Sequence, residues 1–159
     1  MDFTFTPEQD EAAQLAAKIL GDRATNERMK AVEADGSRVI DTEWVQIALG
    51  RAHARIQALT LINWKLASDA DRDVALSPAE ASATKIYGSE LATEVYRSLM
   101  EVVGPNSGVV GGSEGAVLAG RIERFYRSAL VMTFGGGTNE IQRDIIGYVG
   151  LGLPAAQRR

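Results

Sequence analysis

The chain has 159 residues, 45% of them apolar and 24% charged, with a net charge of −4 and no cysteine. These totals describe a single domain able to bury roughly two-thirds of its unfolded surface. They exclude disulfides, thiolate metal sites and thiol catalysis. The acidic balance argues against non-specific nucleic-acid binding, with Arg158-Arg159 the one local basic excess. With no apolar run approaching 18 residues and no basic-then-apolar leader, a soluble, cytoplasmic protein without a membrane partner is expected.

Thr6-Pro7-Glu8-Gln9 predicts a helix start, with Thr6 as cap, Pro7 at the first helical position and Gln9 reaching back. Ala12, Leu15, Ala16, Ile19 and Leu20 then share one face. Asp35-Gly36-Ser37 reads as a turn. A long helix begins at Asp41 or Thr42 and runs to Ala67, a span of roughly 39 Å at 1.5 Å per residue. Val45, Leu49, Ala52, Ile56, Leu59 and Leu66 form its seam, interrupted at Asn63. So long a stripe needs a partner of similar length. The next helix supplies one: Ser77-Pro78-Ala79-Glu80 opens it as a capping box, and Leu91, Val95, Leu99 and Val102 line one side. Ala81, Ala83, Thr84 and Gly88 keep its first turns slim, and Gly104-Pro105 ends it. A fourth helix is predicted over Ala116–Met132. A fifth follows Thr138 and ends near Gly150, before Pro154. No alternating β-branched run appears, so the fold expected is an all-α antiparallel helical bundle.

Chemistry concentrates at Gly135-Gly136-Gly137-Thr138. Consecutive glycines permit positive φ and leave N–H groups uncovered, and Thr138 can cap the helix carrying Ile141, Ile145, Ile146 and Val149. Such a turn can meet an anion, or it can simply join two helices. It matches neither the GxGxxG fingerprint nor the Walker loop. Asp69, Asp71, Asp73, Ser77 and Glu80 fall at calcium-loop positions 1, 3, 5, 9 and 12. Val74 stands where that loop needs glycine, so a solvated acidic connector and no metal site are expected. His53 has no second histidine to complete a metal pair. Glu94, Glu101, Glu123 and Glu140 are candidate bases that read more simply as exposed helix residues. Tyr87, Tyr96, Phe125 and Tyr126 read as core or interface residues.

The segment Gly137-Thr138-Asn139-Glu140-Ile141-Gln142-Arg143, with Leu151-Gly152-Leu153-Pro154 downstream, resembles the C-terminal signature of the acyl-CoA dehydrogenase family. Leu49–Ile56 and Ala79–Tyr87 resemble two long helices of its C-terminal domain, and Val102-Val103-Gly104-Pro105 a helix end. Asp2–Gln9 resembles the family's N-terminal opening. The resemblance implies residues 1–38 as an N-terminal helical segment and 39–159 as the bundle domain, with a join near Asp35–Ile40 and without the family's middle β-domain.

It further implies an FAD-dependent α,β-dehydrogenation of acyl-CoA thioesters in lipid metabolism. Gly136, Gly137, Thr138, Asn139 and Glu140 would be the cofactor contacts, and homo- or hetero-oligomers with similar subunits the assembly. In many family members the base is a glutamate two residues before the signature threonine. Here that position is Gly136, and no catalytic residue is found. Glu101 stands where a flavin-contacting glutamine is usual, ahead of Gly104. Both departures suit a degenerate or truncated subunit, inactive alone. The alternative is a non-catalytic helical interaction or oligomerisation module.

Overall fold

The computed structural model describes residues 36–154. The helix expected from Thr6 and the terminal arginine pair lie outside the described residues. Among the described residues there are four α-helices and no strand. They are α1 (Glu43–Asp71), α2 (Pro78–Val103), α3 (Arg121–Met132) and α4 (Asn139–Ile145), the last continued by a π-helical turn, Ile146–Gly150. The all-α expectation is met. None of these helices is long and apolar enough to cross a membrane.

Two compact units divide the chain. In the first, residues 36–51 and Ser98–Arg124, Val45 (0% exposed) packs with Val102, and Val39, Ile40 and Leu49 close around them. Leu99, Val103 and Ile122 are also buried. Helix α2 stops at Val103 as predicted, because Gly104 takes φ +81°.

The helix expected from Ala116 starts five residues later, at Arg121. Leu118, Ala119 and Gly120 stand at φ +52°, +53° and +73°, in the left-handed region. Packing explains the departure: a Cβ on Gly120 would lie 2.1 Å from the Gly111 nitrogen, and one on Gly111 2.6 Å from the Ala119 oxygen. Two backbones meet where only glycines fit, and that contact overrides the helical pattern.

In the second unit, Ala52–Arg97 and residues 125–154, the pairing of α1 with α2 is antiparallel. Arg55 pairs with Glu94, Gly88 faces Leu59, and Lys65 pairs with Glu80, so one index rises as the other falls. Glu80 thus spends a carboxylate oxygen on Lys65.

Helix α1 runs four residues past its expected end. Asp69 binds Lys65 at 2.8 Å and Arg72 at 2.7 Å, pairs that favour one more helical turn. Val74 N–H then donates to Asp69 O (2.9 Å) and Asp73 N–H to Ala70 O (3.1 Å), with Asp73 at φ +56°. This is a Schellman stop with aspartate in the place glycine prefers. The calcium-loop reading therefore fails: Asp69 and Asp71 lie in a helix, and Asp69 is held by two cations.

Of the 29 residues in α1, Val45 alone is buried. Leu49, Ala52, Ile56, Leu59 and Leu66 are half-buried, as the seam predicts, while Trp44, Ile47, Leu61 and Trp64 are exposed.

Candidate functional site

The glycine turn joins α3 to α4 within the second unit. Thr138 is the expected cap, its hydroxyl accepting from Ile141 N–H at 3.4 Å. Gly136 and Gly137 take φ +70° and +97°. Gly135 N–H donates back to Val131 O, whereas the N–H groups of Gly136 and Gly137 meet no acceptor among the described residues. Both glycines are exposed.

The carbonyls of the turn are held from inside. Gln142, buried, donates Nε2 to Gly136 O at 2.8 Å. A Cβ on Gly137 would stand 2.9 Å from that nitrogen, so the glycine admits the bond. Lys85, from α2, donates Nζ to Thr133 O (3.1 Å), Gly137 O (2.9 Å) and Asn139 Oδ1 (2.6 Å). Asn139, 5% exposed, also accepts from Ser89 Oγ at 3.2 Å and donates to Glu90 at 3.3 Å, and Arg143 pairs with the same Glu90 oxygen.

Of the expected cofactor contacts, then, Gly136, Gly137 and Glu140 are exposed and Thr138 is half-buried. The Asn139 amide is spent on internal bonds. Reasoning from sequence missed Lys85, which lies 52 residues before Gly137, and no local motif announces it.

An open cleft of about 480 Å³ adjoins the turn, with Glu90, Glu94, Arg97, Phe134, Glu140 and Arg143 among its lining residues. Glu94 is paired with Arg55, whose guanidinium also lies 5.6 Å from the Tyr87 ring centre. The hydrogen bond to that carboxylate holds the Arg55 pKa above its ordinary value. Arg97 makes no ion pair among the described residues. The Glu140 carboxyl is held below its usual range, first by its own backbone N–H and then by the Thr138 hydroxyl. A carboxylate thus already sits at the mouth of α4, where the helix dipole favours it.

The free N–H groups of Gly136 and Gly137 fit a hydrogen-bond-accepting edge of a nucleotide. The Glu140 charge opposes a pyrophosphate placed directly over the helix mouth. Gly136, the position at which the resemblance implies a base, has open space about its missing Cβ.

The family model described as Acyl-CoA dehydrogenase, C-terminal domain, matches residues 12–151. The chain belongs to the acyl-CoA dehydrogenase family. The curated relative "Acyl-CoA dehydrogenase FadE26" from Mycobacterium tuberculosis is 57% identical over 128 residues, which is 79% of this chain and 32% of that protein. Among solved structures, the ChsE4-ChsE5 complex from Mycobacterium tuberculosis is 52% identical with a TM-score of 0.77, over 89% of this chain and 36% of that one. The Tcur3481-Tcur3483 steroid ACAD is 37% identical with a TM-score of 0.70, over 93% of this chain and 38% of that one. The chain spans about a third of the length of the curated acyl-CoA dehydrogenases it matches.

Proposed function

We propose that this chain serves as the base-free member of a heteromeric acyl-CoA dehydrogenase, presenting its glycine turn to FAD while a similar subunit supplies the chemistry. The observation that carries this reading is the turn itself: exposed N–H groups at Gly136 and Gly137, beside a position with no proton acceptor. Two similar structures are of two-protein assemblies, which supports a partner of the same family. FAD, when bound, would supply the hydride acceptor for α,β-dehydrogenation of an acyl-CoA thioester. Gly137 and Thr138 would meet its polar edge, and Arg97 could face a phosphate from the cleft. Similarity to the Tcur3481-Tcur3483 steroid ACAD favours a thioester with a bulky ring-bearing acyl group over a simple linear chain. In the same proposal, residues 1–38 form the opening segment and 39–159 the bundle domain.

The test titrates FAD into the chain alone, into a co-expressed acyl-CoA dehydrogenase partner, and into both together. Dye reduction is then assayed with linear and steroid-bearing acyl-CoA thioesters. Flavin binding and turnover that need both chains are expected. Turnover by this chain alone would overturn the reading. A flavin-free oligomer unaffected by FAD or partner would favour the interaction module, which the exposed Trp44, Leu61 and Trp64 of α1 also suit.

A further inference from the structure

We propose that Lys85 is the positioning residue of the glycine turn, and that its ammonium is what keeps the Gly136 and Gly137 N–H groups facing outward. The inference rests on the reading that this turn meets a cofactor, and it names the group that shapes it.

An ammonium has three donors and no acceptor. Lys85 reaches three oxygens, and they bracket the turn: Thr133 O before it, Gly137 O at its end, Asn139 Oδ1 just beyond. Three negative dipoles converge on one point, an arrangement that repels itself unless a cation sits between them. A compact point charge suits that geometry, whereas the planar fork of arginine does not.

Little else ties the turn down. Its glycines have no side chains, and the neighbouring Phe134 and Val131 are 69% and 68% exposed, so apolar burial does not fix it. The other ties are Gln142 to Gly136 O and Asn139 N–H to Thr133 O at 3.1 Å, both from α4, and the bonds of Phe134 and Gly135 N–H back to Val131 O, in α3. None of these anchors the turn to α2. Lys85 does. Through Asn139 the same charge is linked to Glu90 and Arg143, which line the cleft.

The chain has no cysteine, which permits a clean rescue experiment. Lys85→Met removes the charge. Lys85→Cys, alkylated with 2-bromoethylamine in denaturant and refolded, restores an ammonium of nearly the same reach. Lys85→Arg keeps charge and loses the convergent geometry, and it serves if Lys85→Met does not fold. Leu91→Ala, a buried apolar change in the same helix, controls for general destabilisation. Each full-length variant is read twice: by hydrogen exchange of the Asn139 amide relative to core amides of α2, and by FAD titration with the partner subunit present.

In Lys85→Met or Lys85→Arg the Asn139 amide should exchange about tenfold faster relative to the core, the loss of one or two charge-assisted bonds. The alkylated cysteine should restore the native ratio, and Leu91→Ala should leave it unchanged. Unaltered relative exchange, or no restoration by the new ammonium, overturns the proposal. Should the native pair bind no FAD, the cofactor reading falls and Lys85 is judged by exchange alone. Should FAD bind equally well to native and Lys85→Met chains, the positioning role is refuted.

Discussion

In the unit of residues 36–51 and Ser98–Arg124, the deepest side chains are hydrocarbon: Val45, and Ile122 at 1% exposure. In the unit of Ala52–Arg97 and residues 125–154, four polar side chains are buried alongside the apolar ones: Ser82, Ser89, Asn139 and Gln142. Hydrocarbon contact is non-directional and rewards volume. Hydrogen bonds are directional, and a missing partner costs more than the bond itself gained. The first unit is therefore specified by shape, while the second is specified around its glycine turn by which donor meets which oxygen. A site that must hold backbone amides outward is better served by the second arrangement.

Glycine substitutions expose the contrast most strongly. Gly120→Ala forces a Cβ into the Gly111 backbone and keeps a left-handed φ, so a loss of about 3–4 kcal/mol is expected in urea unfolding. Gly136→Ala meets open space and should lose only the conformational term, about 1–2 kcal/mol. Equal losses would erase the distinction between a backbone contact and an open turn.

Ile122→Ala should cost about 3 kcal/mol as a cavity. Asn139→Ala should cost about 2 kcal/mol, because Ser89 and Lys85 each lose an acceptor. The two should add. Asn139→Ala combined with Lys85→Met should instead be clearly non-additive, as expected for members of one network. Additivity in that second pair would show that the network does not act as a unit.

Tyr96, stacked on Phe125 with ring centres 5.9 Å apart, has its pKa pushed from 10.0 to about 12 by burial. Its folded pKa exceeds the unfolded one, so its stabilising contribution is complete below pH 10. The contribution declines as pH rises through the folded value. Ultraviolet titration of the phenolate should show Tyr96 ionising late, and replacing Tyr96 with Phe should remove that alkaline loss.

The smallest effect is a gain. Asp73→Gly relieves a left-handed aspartate at the stop of α1 and should raise stability by about 1 kcal/mol. A loss in the melting experiment would mean that the carboxylate contributes more than the strain takes away.

Much of the framework was legible in the sequence. Thr138 caps α4, Pro78 begins α2 and Gly104 ends it, because capping and breaking are local chemistry written in adjacent residues. The longer reach of α1 was not, since Asp69 reads as loop until Lys65 and Arg72 are placed one turn to either side of it. The late start of α3 was invisible for a different reason. The residues from Val117 to Gly120 carry a helical pattern, and only a glycine nine positions earlier makes the other conformation the better one.

The site divides in the same way. Local sequence determined that three glycines and a threonine would make an uncovered bend ahead of a helix, and that no carboxylate would stand at Gly136. Tertiary structure decided what shapes the bend, bringing an ammonium from α2 to oxygens 48 to 54 residues away. Conformational preference belongs to neighbouring residues, whereas charge acts through space and depends on which helices the fold has set side by side.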